Sequence, residues 1–161
     1  MALALLEKQR AKRERQDKKQ AKEERAATRK AKESAKSRSR LAAEAQEAVN
    51  AYVRARDRGK PCPCGRPDDG THQRHAGHWK TVKARKDIRF DPANIMTTCY
   101  QCNVHGGGGL HPAYFPELLR RIGQDEVDRL ERVTIRRYTD DDYREIRDRF
   151  RAMKREIERG R

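Results

Sequence analysis

The first 40 residues show almost no hydrophobic periodicity. Ala, Lys, Arg, Glu and Gln dominate them, all strong helix formers, and neither Gly nor Pro interrupts them. Large apolar residues are nearly absent between Leu6 and Leu41, so there is no heptad seam for a coiled coil. The pattern predicts a basic arm over residues 1–40, either a solvated helix or a disordered tail. Such an arm could also lie along phosphates.

A hydrophobic stripe begins where the arm ends. Its members, which fall on one helical face, are Leu41, Ala45, Ala48, Val49, Tyr52 and Val53. Gly59 follows the stripe and is a natural stop for a helix. Residues 41–59 are therefore predicted to form a helix that packs on the folded domain.

The last third of the chain is also helical in pattern. One helix is predicted from Pro116 to Ile122 and another over residues 124–132. The clearest helix has Thr139 as its N-cap, with Asp142 three residues on. Its apolar stripe is Tyr143, Ile146, Phe150, Met153 and Ile157. Residues 114–161 are thus predicted to be a C-terminal helical segment.

Residues 60–113 have a different pattern. Short β-strands are predicted over residues 75–82 and 88–90, and a knuckle that runs into a helical turn over residues 99–105. Gly106 to Gly109 would stop that turn, because four glycines cannot hold a helix. The predicted fold class is mainly α, with a small folded centre at 60–113.

The composition indicates a polyanionic partner. The chain of 161 residues is 40% charged and only 34% hydrophobic, and its net charge is +15. Such an excess favours nucleic acid first and an anionic membrane surface second. No apolar run approaches the roughly 18 residues of a membrane span, and the start of the chain lacks the basic patch of a secretory signal.

Two cysteine pairs flank the central region. Cys62 and Cys64 open it, and Cys99 and Cys102 close it. A Cys-x-Cys pair, a spacer and a Cys-x-x-Cys pair favour a tetrahedral structural Zn²⁺ site over disulfides in a chain that stays inside the cell. The first pair is one residue shorter than usual, which adds strain to its turn.

Three histidines, His72, His75 and His78, lie between the two cysteine pairs. His72, and His111 beyond the second pair, are interpreted as ordinary surface or core histidines, but His78 lies between Gly77 and Trp79, within the metal loop. Asn103 directly follows the last cysteine. A histidine and an amide held together by zinc would suit a hydrolytic centre, because imidazole can activate water and an amide oxygen can bind Mg²⁺.

These residues resemble a known family. The central region looks like an HNH, or ββα-metal, nuclease finger of the endonuclease VII type. The motifs that carry the likeness are Cys-x-Cys, His-Ala-Gly-His-Trp at 75–79, Ile-Arg-Phe-Asp-Pro-Ala-Asn-Ile at 88–95 and Cys-Tyr-Gln-Cys-Asn at 99–103. With the flanking residues 46–58 and 117–128, the chain more narrowly resembles the phage NinG (Rap) recombination proteins.

The resemblance implies a function and a set of roles. It implies an endonuclease that cuts branched DNA and Holliday junctions in phage recombination, in the cytoplasm of a bacterial host. His78 would be the general base, Asn94 would orient the loop and the base, and Asn103 would hold a catalytic Mg²⁺ or Mn²⁺ ion. The cysteines match the family's zinc ligands.

One departure concerns the catalytic metal. The family has Asp where this chain has His75, and imidazole suits Mn²⁺ or Zn²⁺ better than Mg²⁺. Either His75 is a ligand with an altered metal preference, or Asn103, phosphate and water hold the ion. A second departure is that the family's additional N-terminal cysteine cluster, found in some members, is absent here.

The predicted nuclease function implies branched DNA as the partner. The cations expected to contact its flanking phosphates are Arg74, Lys80, Lys83, Arg85, Lys86 and Arg89. A homodimer is a further possibility, because an enzyme that makes paired nicks would gain from two-fold symmetry. The alternative function is a non-catalytic, zinc-stabilised basic protein that binds DNA or RNA.

Overall fold

A computed structural model describes residues 2–106, 109, 111–132 and 134–160. These fall into two compact units, one through Ser37 and the other from Arg38 onward. Predictions that concern residues 1, 107, 108, 110, 133 and 161 lie outside the described residues. Among these residues are Gly107 and Gly108, two of the four glycines predicted to end the turn at 99–105.

The first unit is one long helix, α1, Ala2–Ser34. Its described side chains are almost all exposed. The ion pair of Lys19 with Glu23, one turn apart at 3.9 Å, is exposed and contributes only a few tenths of a kcal/mol. α1 is therefore a helix held by residue propensity rather than by a hydrophobic stripe.

The second unit contains four further α-helices and two strands. They are α2 Arg38–Arg56, β1 Arg74–His78, β2 Ile95–Cys99, α3 Tyr114–Ile122, α4 Gln124–Glu131 and α5 Asp140–Arg159. A short 3₁₀-helix, Pro92–Asn94, precedes β2, and a π-helix, Gln101–His105, follows it. The expectation of a mainly helical chain with a small centre is confirmed.

One layer of the second unit is the pair α2 and α5. Their apolar stripes meet in a buried cluster that also includes Phe90 and Ile95 from the central region. Phe150 lies with its ring 5.2 Å from that of Tyr52. The buried Arg147 guanidinium donates to Glu44 at 3.1 Å, so the charged group in this layer is paired.

The other layer is formed by α3 and α4. Its buried cluster joins Tyr114, Leu118, Val127 and Leu130 to residues of the central region, Trp79, Ile88 and Met96. The Tyr114 hydroxyl donates to the Gly77 carbonyl and accepts from the Met96 N–H. This one side chain therefore ties the second helical layer to both strands.

A two-stranded antiparallel hairpin lies between these layers. β1 pairs with β2 so that His75 is opposite Thr98 and His78 is opposite Ile95. Side chains alternate along each strand. Ile95 consequently faces α2 and α5, whereas Met96 faces α3 and α4.

The strand predictions need correction. β1 ends at His78 rather than at residue 82, because the Trp79 N–H donates to the Asn94 carbonyl and the chain turns there. Residues 88–90 form a turn, not a strand. Ile88 and Phe90 are apolar because each fills a different buried cluster. The partner strand is Ile95–Cys99, all five of whose residues are buried.

The start of α5 has the predicted cap. The Thr139 hydroxyl accepts from the Asp142 N–H, and the Asp142 carboxylate accepts from the Thr139 N–H. This capping box satisfies two N–H groups at the helix start and fixes where α5 begins.

The α2–α5 layer generates a stability prediction. Phe150 is 1% exposed, so Phe150→Ala should lower the free energy of unfolding by about 3–5 kcal/mol through lost burial and a residual cavity. Phe115, which is 40% exposed, is the matched control, and Phe115→Ala should cost clearly less. Urea denaturation measures both. Equal losses would show that the layer is not the core of this unit.

Candidate functional site

The four cysteines lie together beside the hairpin. Their sulfur atoms are all within 4.8 Å of one another, and the Sγ atoms of Cys64 and Cys99 are 4.0 Å apart. Cys62, Cys99 and Cys102 are buried, and all four are free thiols rather than disulfides. The cluster connects the turn after α2 to the end of β2 and the π-helix.

This geometry fits a thiolate metal site. Zn²⁺ bound to four sulfurs at about 2.3 Å places them about 3.8 Å apart, close to the spacing found here. The Cys99 N–H donates to Cys62 Sγ at 3.3 Å, so the backbone of β2 holds that sulfur in place. The spacing of the four sulfur atoms thus confirms the prediction that these cysteines could hold a metal ion such as zinc.

His78 ends β1 and is held by one of its ring nitrogens. Its Nε2 lies 3.0 Å from the carbonyl oxygen of Arg89. Because a carbonyl only accepts, Nε2 carries the proton and donates, which leaves Nδ1 with the lone pair. Gln46 Nε2 lies 3.4 Å from His78 Nε2 and donates instead to Asn50, while Gln46 Oε1 accepts from Arg89 Nε. The ring is thus fixed in orientation and in tautomer.

The electrostatics of His78 favour its neutral form. Burial lowers the pKa of the His78 imidazole below its ordinary value of 6.5. The hydrogen bond to the Arg89 carbonyl raises this pKa, and the positive charge of Arg89 lowers it, so that the net shift is downward. At neutral pH the ring is therefore uncharged. A neutral imidazole whose Nδ1 has no partner among the described residues can accept a proton.

His75 and Asn103 meet on the other side of the hairpin. Asn103, in the π-helix, has its Nδ2 3.3 Å from His75 Nδ1. Asn103 Oδ1 lies over Gly77, where a Cβ would be 3.2 Å from it. His75 Nε2 is buried and has no hydrogen-bond partner in the part of the chain that the structure describes. Imidazole and amide oxygen together are a donor set that suits Mn²⁺ better than Mg²⁺.

The structure does not bring His78 into contact with Asn103. Strand alternation directs His78 toward α2, as its contact with Gln46 shows, whereas His75 and Gly77 lie on the Asn103 side. The two groups therefore flank the end of β1 rather than share one face of it. Gly77 separates them, and its missing side chain leaves room for Asn103: an added Cβ would meet Thr98 Oγ1 at 2.9 Å.

Asn94 holds the segment that follows β1. It is fully buried, and its Oδ1 accepts from the Lys80 N–H at 2.9 Å. Its Nδ2 donates to the carbonyls of Lys80 and Ile88. Residues 80–88 are thereby fixed, and with them the Arg89 carbonyl that orients His78.

Two of the expected phosphate ligands are engaged inside the protein. Arg74 is 10% exposed, pairs with Asp68 and donates to the Lys60 carbonyl. Arg85 is 13% exposed, makes a bidentate pair with Asp87 and donates to carbonyls of the α4 C-terminal region. Both guanidinium groups are thus largely buried and paired with carboxylates, so neither is a freely exposed cation.

The other four cations differ in exposure. Lys83 and Lys86 are exposed. Lys80 lies 4.0 Å from the centre of the Trp79 ring, and Arg89 lies over Phe90 and donates to Gln46. Lys83 and Lys86 are thus the members of the set best placed to meet a phosphate.

Sequence reasoning missed several residues that build the site. Gln46 lies in the segment that carries the family resemblance, but nothing in its spacing indicated a contact with His78. Asp57 is 1% exposed, and it accepts from the Thr97 N–H and pairs with Arg56 and Lys60. It anchors β2 to the end of α2. Such long-range contacts leave no local signal.

Comparison with known proteins gives the family. The family described as "Bacteriophage Lambda NinG protein" matches residues 2–160. The chain belongs to the NinG family. It is 40% identical over 128 residues to "Protein ninG" of Escherichia phage 933W, covering 78% of this chain and 62% of that protein. It is also 46% identical over 99 residues to the ninG protein of Enterobacteria phage H19B, covering 60% and 47% of the two chains.

The ninG protein of Escherichia phage lambda is 45% identical over 97 residues, which cover 60% of this chain and 46% of the phage protein. The chain therefore spans about half to three-fifths of the NinG relatives it matches. No solved structure matches. None of the helices in the described ranges combines the length and apolar composition needed to cross a bilayer.

The sulfur cluster predicts one zinc ion per chain. Cys99→Ser should lower zinc content below half an equivalent and destabilise the second unit strongly, since structural zinc contributes roughly 10 kcal/mol of apparent folding free energy. Metal analysis and thermal unfolding measure the two effects, and Ser39→Ala, on the α2 surface, is the control. Full stability without metal, in chelator, would refute the site.

Proposed function

We propose that this NinG protein is a metal-dependent endonuclease that cuts branched DNA, including Holliday junctions, during phage recombination. The observation that carries the proposal is the geometry at His78: a half-buried imidazole whose Nε2 lies 3.0 Å from the Arg89 carbonyl, so that Nε2–H donates to it and Nδ1 can accept a proton. Binding alone does not need a histidine held this way.

The arrangement of elements supports an HNH-type finger. Two antiparallel strands are followed by a short helical element, the π-helix, and the thiolate cluster fastens the end of β2 to the turn after α2. The resemblance in sequence points to the same finger. His78 is the last residue of the first strand, and Asn103 lies in the helical element.

The proposed chemistry is phosphodiester hydrolysis. His78 Nδ1 takes a proton from a water molecule, which attacks phosphorus in line with the leaving oxygen. His75 and Asn103 would hold a divalent ion, Mn²⁺ in preference to Mg²⁺, which when bound supplies stabilisation of negative charge on the phosphate.

The net charge and the exposed lysines support DNA as substrate. Lys83 and Lys86 lie on the segment between the strands, and the long basic α1 adds cations without base-reading geometry. Phosphate contacts of this kind bind DNA with strong salt dependence and little sequence preference. Selectivity for branches would then come from the shape of the DNA.

Removal of the base tests the proposal. His78→Ala should reduce cutting of a four-way junction by about 10²–10⁴-fold, the usual contribution of a general base, and leave junction binding nearly unchanged. The control is His72→Ala, an exposed loop residue, which should cut at the wild-type rate. Cutting is measured in Mg²⁺ and in Mn²⁺ against linear duplex.

Two outcomes would contradict the proposal. Full cutting by the His78→Ala protein would remove His78 from the mechanism. Junction binding by the wild type without cutting in either metal would leave a zinc-stabilised DNA-binding protein, the alternative function.

The pH dependence gives a second test of the same residue. The reactive form of His78 is neutral, and burial depresses its pKa below 6.5. Cutting should therefore rise with pH through an apparent pKa below 6.5 and be level by pH 7, under conditions in which folding is constant. A rise centred well above 7 would indicate a different base.

A further inference from the structure

A basic groove lies on the second unit, away from Asn103. It is a cavity of about 510 Å³ between the end of α2, the loop at residues 68–70, β1 and the C-terminal half of α5. The charged residues that line it are Arg54, Arg58, Asp68, Arg74, Lys154 and Glu158. We call it the α2–α5 groove.

The charges in the groove are only partly balanced. Lys154 pairs with Glu158 at 2.6 Å, and Arg74 Nε lies 3.4 Å from Asp68. These pairs leave Arg54 and Arg58, which are exposed, lie four residues apart and have no ion pair or side-chain hydrogen bond within the described part of the chain. The helix C-terminus favours cations by a few tenths of a kcal/mol, but it does not give these guanidinium groups acceptors.

A buried guanidinium adds unsatisfied donors to the groove. Arg74 is nine-tenths buried, and only its Nη2 donates, to the Lys60 carbonyl. Its Nε is in the ion pair with Asp68, and its Nη1 is buried with no hydrogen-bond partner among the described residues. Unpaired buried donors are costly in proteins and call for an acceptor. A tetrahedral oxyanion has several acceptor oxygens and matches the planar fork of arginine.

From these observations we propose that the α2–α5 groove binds a phosphate group of the DNA backbone, distinct from the phosphate that is cut. The inference rests on the proposed action on DNA and adds a second contact point to it. Arg74 and His78 lie on the same face of β1, four residues or about 13 Å apart. A phosphate in the groove is therefore too far from His78 to be the scissile one.

The experiment compares two matched pairs of arginines in the full chain. Arg54→Gln with Arg58→Gln removes the free cations of the groove. Arg151→Gln with Arg155→Gln removes two exposed arginines of α5 that are also four residues apart and do not line the groove. Fluorescence anisotropy measures binding of a four-way junction at several salt concentrations, without added Mg²⁺ or Mn²⁺ so that no DNA is cut.

The groove variant should bind the junction roughly tenfold more weakly at 0.1 M salt. Its plot of log affinity against log salt should be shallower by about 1 to 2, because one or two phosphate contacts are lost. The α5 variant should change affinity by less than about threefold. Equal losses in the two variants would mean that only overall charge matters and would overturn the proposal, as would no loss in the groove variant.

Inorganic phosphate separates the two sources of this ligand. If the groove fits a phosphate, phosphate at constant ionic strength should raise the Tm of the wild type and not that of the groove variant. If phosphate stabilised the wild type but the groove variant bound the junction as tightly as the wild type, the groove would be a site for free phosphate. That result would contradict its assignment to the DNA backbone. This binding experiment does not depend on cutting. If a separate cleavage assay showed no cutting while binding through the groove held, only the proposed nuclease activity would be contradicted.

Discussion

The sulfur cluster is the constraint on which the second unit depends. A hairpin of two five-residue strands is too small to be stable in water by itself. Four sulfurs within 4.8 Å fasten its far end to the chain after α2, while two helical layers cover its faces. The position of every candidate catalytic group follows from this hairpin, because each lies on a strand or immediately beside one.

The hairpin also explains how the site is divided. Strand alternation sends His78 to the α2 side, where burial and the Arg89 carbonyl set its tautomer, and sends His75 to the side of Asn103. His78 and the pair of His75 with Asn103 thus belong to two different environments. Burial lowers the pKa of the His78 imidazole in one of them, and in the other His75 Nε2 is buried with no hydrogen-bond partner among the described residues.

The sequence predicted what is local and missed what is distant. The apolar stripes of α2 and α5, the Thr139 cap and the cysteine pairs each have a short repeat or spacing that physical rules can interpret. The strand at Ile95–Cys99 was harder to recognise, because all its residues are buried and its pattern does not alternate. The contacts of Gln46 with His78 and of Asp57 with Thr97 join residues more than thirty positions apart, and no periodicity encodes them.

One metal centre made of four thiolates should join the segments on either side of the hairpin. X-ray absorption at the zinc edge of the purified full chain measures the ligands of that ion. We expect a single shell of four sulfurs at about 2.3 Å. A shell containing nitrogen or oxygen, or two sulfurs in place of four, would contradict it, because the two cysteine pairs would then not share one ion.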